Sequence, residues 1–283
     1  MHFTSPSDLT LLNAIALLSP QSSKNTLRSW IKEGRVMVDN CIIKNANFNV
    51  LAGQQVSVGQ RKKFLNEGIQ ILYEDADLVL IDKPSGLLSV SAAYEQEETA
   101  HSILKNHYRS KKVFVIHRLD QDTSGVMVFA FNQATCDALK ELFSQHDIKR
   151  SYTAVVEGKM TAPAGVWQSY LYEDDQYVVH ETDDPTKGKE AITYYQTVGS
   201  NKRYSLLKLT LKTGRKNQIR VHCQTAKHSV VGDKKYGAHA NPLKRLCLHA
   251  HLLCFKHPST KKELQAESSV PEEFYQLVQP SKS

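Results

Sequence analysis

The chain has 283 residues, of which 41% are hydrophobic, so it can form one large core and a small additional module. It has no apolar run near the roughly 20 residues that a membrane-spanning helix needs, and its first residues lack the basic flank and apolar core of a signal peptide. Its five cysteines are scattered and form no C-x-x-C pair, which is typical of a reducing compartment. We therefore expect a cytoplasmic protein.

The positive charge is concentrated near the amino terminus. The net charge is +7; residues 1–65 hold eight Lys or Arg against three Asp or Glu, whereas residues 66–283 hold 28 against 26. An excess of positive charge indicates a polyanionic partner such as a nucleic acid. Its distribution assigns that role mainly to the amino-terminal part of the chain.

Two short helices are predicted at the amino terminus. Residues 8–18 carry an apolar stripe at helical spacing. A second helix fits residues 24–33, with Ser22 or Ser23 as its N-cap and Gly34 as its left-handed C-cap. Short strands are predicted to follow over residues 35–38, 41–43 and 55–58.

The second helix carries a basic stripe, because Lys24, Arg28 and Lys32 recur at every fourth position. A basic helix beside a small β-hairpin is a compact RNA-binding arrangement, although any three cations can also form an ordinary solvated helix face. The segments SKNTLRSWIKEGRVMVDN and LAGQQVSV resemble the S-four-type RNA-binding module over about residues 8–60. This resemblance implies that the basic helix packs against structured RNA.

A polar run, Gln60-Arg61-Lys62-Lys63, favours a linker, and we expect three segments: an RNA-binding module over 1–60, a linker over 61–68 and a larger domain over 69–283. Hydrophobic patterns in the larger domain predict strands over 69–73, 77–81, 113–116, 126–131, 149–156, 190–198, 204–211 and 246–255. Helices are predicted from an Asn132 cap through residue 145, where the chain turns within 213–222, and from Pro271 onward. A weak helical pattern covers 95–108, and an acid-rich loop is predicted over 173–184.

The centre of the chain has a polar loop between two apolar strands. Residues 117–125 read HRLDQDTSG and contain Arg118, Asp120 and Asp122. Charges so close to a core are costly unless they are paired or used. Two interpretations fit equally well, a salt-bridged turn that closes a hairpin and a functional site.

Three polar groups are the candidates for chemistry in the larger domain: the charged residues of this loop, Tyr152, and the pair Arg215 and Arg220. The sequence contains no G-x-S-x-G, no G-x-x-x-x-G-K and no G-x-G-x-x-G after a strand. An aspartate that faces an arginine in a dry pocket stays ionised and can act as a nucleophile. Such an ionised, nucleophilic carboxylate in a basic, RNA-binding protein indicates chemistry on an RNA base without a cofactor.

A zinc site is the main rival hypothesis, because five possible ligands lie close together in sequence. The zinc-knuckle spacing is absent, so we favour core or RNA-facing roles on a strand. The five residues are Cys247, His249, His251, Cys254 and His257. His117 has two open interpretations as well, a general base or a buried histidine that bonds the backbone.

Six segments of the larger domain read, in chain order, DKPSGLLSV, HRLDQDTSG, KRSYTAVVEG, KTGRKNQIRVH, GDKKYG and RLCLHAHLLCFKHP. They resemble the corresponding segments of the ribosomal large-subunit pseudouridine synthases, the RluA family, and the likeness covers residues 69–275. The resemblance implies isomerisation of uridine to pseudouridine in RNA. It also implies, together with the strand pattern, an α+β fold with a mixed, largely antiparallel sheet and packed helices.

The resemblance implies a role for each matching position. Asp120 would be the catalytic carboxylate, and Arg220 would pair with it. Tyr152 would stack on the flipped uracil and could help the proton transfer. Arg118 would be the neighbour of Asp120 in the loop, and Asn217 stands where a histidine is usual. Our own hypothesis is that Arg118 fills the place in the RNA stack that the flipped uracil leaves, or holds a phosphate. From the residues themselves, we expect Asp122 to fasten the loop through backbone hydrogen bonds and Lys83 to shape the pocket wall. The expected RNA contacts are Arg118, Lys24, Arg28, Lys32, Arg215 and Lys216.

Substrate choice and assembly stay open in the sequence. The amino-terminal module favours ribosomal RNA, with transfer RNA second, and a non-catalytic RNA-binding protein on this scaffold is the alternative from another class. We expect a monomer that uses no cofactor, no metal and no membrane.

Overall fold

The computed structural model describes residues 2–39, 41–59, 63–91 and 98–279. The chain forms two compact units, Met1–Lys63 and Phe64–Ser283. Within the predicted linker, residues 61 and 62 lie outside the described part, and residues 63–68 form a short strand and a 3₁₀ turn. Among the described residues, no helix combines the length and apolar character that crossing a membrane requires.

The amino-terminal unit packs two helices on small antiparallel sheets. The second helix starts as predicted, because the Ser23 hydroxyl accepts a hydrogen bond from the Thr26 amide at 3.2 Å, and Gly34 follows it with φ +68°. Leu27 and Ile31 bury its apolar face in the core of this unit. The elements are β1 His2–Thr4, β2 Leu9–Thr10, α1 Leu11–Leu18, α2 Lys24–Lys32, β3 Val36–Val38, β4 Cys41–Ile42, β5 Asn49–Val50 and β6 Gln55–Val58.

The larger unit is built on one twelve-stranded sheet with helices packed against it. Its strands begin with β7 Lys63–Phe64, β8 Gln70–Glu74, β9 Leu78–Lys83, β10 Phe114–Val115, β11 Ser124–Ala130 and β12 Lys149–Glu157. The remaining strands are β13 Ala164–Glu173, β14 Val179–Thr182, β15 Lys189–Ser200, β16 Tyr204–Leu211, β17 Leu248–Lys256 and β18 Glu263–Glu267. The helices are α3 Ala100–His107, α4 Gln133–Ser144, α5 Gln218–Thr225 and α6 Glu272–Val278.

The strand order is β14-β13-β15-β16-β12-β17-β11-β9-β8-β7, with β10 beside β11 and β18 beside β17. Among the described strands of this sheet, neighbours pair antiparallel except β11 with β17, which run parallel. The predicted α+β class with a mixed, largely antiparallel sheet is therefore confirmed. Strands β9 and β11 are buried on both faces of the sheet. One face of both strands packs against α3 and the opposite face packs against α4, which explains their continuous apolar runs.

The prediction of a loop over 173–184 is wrong. Strand β14 lies within this range and pairs with the end of β13 through Tyr170–Thr182 and Glu173–Val179. Val179 is buried with Val221 and Tyr236, and that apolar contact outweighs the acidic composition of the segment.

Candidate active site

The parallel pairing of β11 with β17 fixes where the central loop lies. Ala250 of β17 is the register partner of Gly125 on one side and of Tyr152 on the other. Gly125 has φ +119°, and a Cβ atom there would lie 2.2 Å from the Ala250 carbonyl oxygen, so only glycine permits this approach. A register shift next to Tyr152 marks a β-bulge, a feature that often redirects a side chain near a functional site.

Asp120 and Arg220, which are 100 residues apart in the chain, form an ion pair in this region. The Arg220 Nη1 donates to an Asp120 carboxylate oxygen at 3.1 Å. The Asp120 side chain keeps 31% of its surface exposed, whereas Arg220 keeps 12%. The predicted facing of Asp120 and Arg220 is thus present, and the carboxylate remains accessible from the cleft.

Arg220 is held mainly by a second carboxylate, Asp233, which sequence reasoning did not single out. The guanidinium donates from Nε at 2.7 Å and from Nη2 at 2.8 Å to the two Asp233 oxygens, and this aspartate is fully buried. Burial opposes the charge of Arg220, but hydrogen bonds and attraction from Asp233, then from Asp120, raise the pKa of the guanidinium above its usual range. Only Nη1 is left for Asp120. Asp120 can therefore release Arg220 and contact substrate while the guanidinium keeps its hydrogen bonds to Asp233.

Asn217 and Tyr236 complete the support of Arg220. Asn217 adopts φ +53° just before α5; its amide donates to the Tyr236 hydroxyl at 2.8 Å and its oxygen accepts from Arg220 at 3.3 Å. The Tyr236 ring lies 4.8 Å from the guanidinium carbon. The asparagine at the position where the family usually has histidine therefore contacts the partner of Asp120 rather than Asp120 itself. The GDKKYG segment was the available signal for Asp233 and Tyr236, although it assigned them no role.

The central loop is fastened by the segment that follows β9. Lys83 is fully buried, and its Nζ donates to the carbonyls of Pro84, Leu87 and Gln121 at 2.7–2.9 Å. The Ser89 hydroxyl donates to the Leu119 carbonyl at 2.6 Å. Burial lowers the pKa of Lys83 to about 7, against the attraction of the loop aspartates. These bonds hold the backbone on both sides of Asp120, so Lys83 fixes the loop.

Asp122 has an exposed side chain, and its carboxylate has no hydrogen-bond partner among the described residues. Its carbonyl oxygen, by contrast, accepts from the Ser85 hydroxyl at 2.6 Å. The contact that fastens the loop at Asp122 is thus made by its backbone carbonyl, while its side chain faces solvent.

A cleft with a volume of about 390 Å³ opens beside Asp120. Tyr152 lies in its wall, and burial raises the pKa of the phenol to about 12, with Arg150 opposing and Asp120 adding to the shift. The hydroxyl therefore stays protonated at neutral pH, and the ring offers an apolar face to a base. The lining residues are Arg118, Leu119, Asp120, Thr123, Tyr152, Leu211, Arg215, Asn217, Gln218, Ile219, Arg220 and Leu248.

The predicted RNA contacts divide between the cleft and other surfaces. Arg118 is exposed at the cleft and has no partner among the described side chains, and Arg215 lines the same cleft with its Nε bonded to the Glu190 carbonyl at 2.8 Å. Lys216 pairs with Glu173 and does not line the cleft. In the amino-terminal unit, Lys24, Arg28 and Lys32 are exposed along α2, as the helical spacing predicts.

His117 bonds the backbone. Its Nε2 accepts from the Val128 amide at 3.2 Å, the ring stacks on Phe143, and burial together with Arg150 lowers its pKa to about 3. Of its two open interpretations, the buried histidine is the one that the geometry supports.

The possible zinc ligands are each engaged separately. His249 contacts Ser124 and the Ser268 carbonyl, His251 contacts Thr153, and Cys254 contacts Glu263. The cluster of potential ligands within the described ranges consists of Asp75, Asp77 and His257, which takes only His257 from the predicted set. Asp75 already accepts two backbone amides and the His257 ring, as expected of a turn.

Comparison with known proteins identifies the class. The family described as RNA pseudouridylate synthase matches residues 77–225, and the S4 domain matches residues 10–56. The chain belongs to the RNA pseudouridylate synthase family. It is an isomerase that converts uridine to pseudouridine in RNA, and the predicted resemblance is confirmed.

Similar proteins match along most of the chain. The "Ribosomal large subunit pseudouridine synthase D" of Escherichia coli is 30% identical, covering 94% of this chain and 88% of that protein. The RNA pseudouridine synthase YhcT of Bacillus subtilis is 31% identical, covering 91% and 88%. The solved structure titled human RNA Pseudouridylate Synthase Domain Containing 4 has 25% identity and a TM-score of 0.59, covering 72% of this chain and 90% of that one.

Proposed function

We propose that this enzyme isomerises specific uridines in large-subunit ribosomal RNA, with Asp120 as its catalytic carboxylate. The observation that carries the proposal is the cleft in which Asp120 meets the Arg220 guanidinium at 3.1 Å while Tyr152 forms part of the same wall. The similarity to proteins named ribosomal large subunit pseudouridine synthase D supports the choice of RNA. The five free cysteines are in keeping with a cytoplasmic enzyme.

The reaction requires access to a base that is normally stacked. The target uridine leaves its stack at a cost of a few kcal/mol, and Arg118 takes up the vacated stack or a neighbouring phosphate. The uracil then stacks on Tyr152, which contributes ~1–3 kcal/mol. Arg118 suits this role because it is exposed at the cleft and unpaired among the described residues.

The chemical steps exchange one bond for another. The bond from uracil N1 to the ribose anomeric carbon breaks with Asp120 beside the sugar, as nucleophile or as assistant to elimination. The uracil turns in the cleft, its carbon 5 bonds to the anomeric carbon, and the proton on carbon 5 leaves while N1 gains one. Arg220 keeps Asp120 oriented throughout, because Asp233 fixes the guanidinium independently of the substrate.

The amino-terminal unit supplies affinity for structured RNA in this proposal. The exposed stripe of Lys24, Arg28 and Lys32 fits phosphate contacts, and the match to the S4 domain supports this assignment. Arg215 adds a contact at the cleft, and the role of Lys216 stays a prediction, as does the monomeric state.

The decisive experiment uses Asp120→Asn. Tritium release from RNA labelled at uridine carbon 5 should be abolished, while RNA affinity stays close to that of the unsubstituted enzyme because the side chain keeps its size. Asp137→Asn on α4 removes one exposed carboxylate of the same kind and should leave the rate unchanged. Appreciable turnover by Asp120→Asn would overturn the catalytic assignment.

Substrate identity needs a separate measurement. Pseudouridine mapping in cells that lack this gene should reveal missing sites in large-subunit ribosomal RNA. Loss confined to transfer RNA would favour the alternative substrate, and RNA binding without any tritium release by the unsubstituted protein would favour a non-catalytic role.

A further inference from the structure

A second cleft adjoins the first at Arg220. It has a volume of about 700 Å³, and Arg220 lines both clefts. The lining is strongly basic for a region that, by sequence, carries little net charge. The second cleft is lined by Asp122, Arg220, Gly232, Asp233, Lys234, Lys235, Asn241, Lys244, Arg245 and Leu246.

The charges in this cleft do not cancel. Five of its lining residues are Lys or Arg and two are Asp. Asp233 is already paired with Arg220. Asp122 interacts electrostatically with Lys83 and Arg245. Lys234 and Lys244 are both exposed, and no partner of either side chain is found among the described residues.

The other two cations are already engaged. Lys235 donates to the Tyr177 carbonyl at 3.0 Å, and Arg245 donates to the Ser124 hydroxyl at 2.6 Å and to the Leu246 carbonyl at 3.1 Å. Their contacts hold the protein together, whereas Lys234 and Lys244 remain for a ligand.

The loop that carries the free lysines is pinned to the catalytic centre. Asp233 bonds Arg220 and at the same time accepts from the Tyr236 amide, which closes the turn containing Lys234. On the other side of the loop, a Cβ at Gly232 would lie 2.1 Å from the Arg245 carbonyl oxygen, so the backbones are in direct contact near Lys244. The two ammonium groups therefore project from a backbone that is fixed relative to Asp120.

We propose that Lys234 and Lys244 bind the RNA backbone at phosphodiesters flanking the flipped uridine. Flexible, compact ammonium groups suit phosphates, which position a nucleic acid without reading its sequence. An RNA strand whose uridine occupies the first cleft must continue past its rim, and the second cleft offers the adjoining basic surface there. The inference deepens the proposed function and rests on it.

The test compares two double variants that remove the same charge. Lys234→Gln/Lys244→Gln changes the cleft; Lys261→Gln/Lys262→Gln changes two exposed lysines that line neither cleft. Each pair contains one lysine with positive φ, Lys244 at +54° and Lys261 at +58°, so a backbone effect of substitution there is common to both variants. The probe is unmodified large-subunit ribosomal RNA transcribed in vitro, with Kd measured over a series of potassium chloride concentrations.

The cleft variant should bind on the order of ten-fold more weakly near physiological salt, and its slope of log Kd against log salt should fall by roughly 1.4–1.8, as for two lost phosphate contacts. Pseudouridine formation at saturating enzyme should persist, because Asp120 and Arg220 are unchanged. The Lys261/Lys262 variant should match the unsubstituted protein in both affinity and slope.

Equal affinity and slope for the two variants would overturn the phosphate site. If the unsubstituted protein forms no pseudouridine in this RNA, the proposed function fails, while the salt slopes still decide whether the cleft binds RNA. If it is active and the slopes are equal, only the phosphate site fails.

Discussion

Asp233→Asn is expected to destabilise the larger unit by removing the charge that compensates Arg220. The substitution keeps the size of the side chain but turns an N–H group towards the Arg220 Nε, which now donates to Asp233 at 2.7 Å. The Arg220 side chain is only 12% exposed and Asp233 is 0% exposed, so water cannot replace the lost acceptor. Asp120 cannot replace it either, because it accepts from Nη1 alone.

The magnitude follows from this burial. Breaking a buried ion pair by removing one partner costs about 3–5 kcal/mol. For a unit of this size, that corresponds to a fall in melting temperature of roughly 6–20 °C. Arg220→Met/Asp233→Leu removes both charges and should recover much of the stability, since no buried charge then lacks a partner. It should not recover activity, because Asp120 loses its guanidinium.

The assay is urea unfolding followed by tryptophan fluorescence. The chain has two tryptophans, Trp30 in the amino-terminal unit and Trp167 in the larger unit, so a Trp30→Phe background reports on the larger unit alone. A free energy of unfolding for Asp233→Asn within about 1 kcal/mol of its parent would refute the reasoning, because that result is typical of an exposed ion pair.

Three further predictions concern the central loop, the close approach of β11 to β17 at Gly125, and the cleft beside Asp120. Burial lowers the pKa of Lys83 from 10.5 to about 7, so between pH 7 and pH 10.5 the unfolded chain binds more protons than the folded protein. The free energy of unfolding should therefore rise with pH in this range, by up to ~1.4 kcal/mol per pH unit from this residue. Lys83→Met should lose that increment between pH 7 and 9 in denaturant titrations; an identical pH dependence of the two proteins would contradict the shift. Gly125→Ala should cost about 2–6 kcal/mol from overlap with the Ala250 carbonyl and the strained φ, seen as a lower melting temperature, and a thermally unaffected variant would contradict the close approach. Tyr152→Ala should weaken binding of substrate RNA by ~1–3 kcal/mol while Tyr152→Phe retains affinity, and equal losses for both would argue against stacking.

Several local features could be read from the sequence because they depend on neighbouring residues. Ser23 and Gly34 delimit α2, and Asn132 caps α4 with its oxygen 2.9 Å from the Thr135 amide, each as predicted. These caps require only a side chain and a backbone group three residues away. Strand β14 was missed because its stability comes from burial against distant residues, while its own composition is acidic and turn-like.

The sequence by itself determined the family, the α+β class and the identity of the candidate carboxylate, because motifs and periodicities are local properties. The central loop also left two interpretations open, a salt-bridged turn and a functional site, and its flanking strands β10 and β11 do pair as a hairpin. Only the tertiary structure gave the geometry of the pairing of Arg220 with Asp120 that the resemblance implied, and showed that Asp233 holds Arg220 and that Lys83 fastens the loop. Those contacts join residues about 13 to 100 positions apart, and their geometry depends on the register of β11 with β17, which no single stretch of sequence encodes.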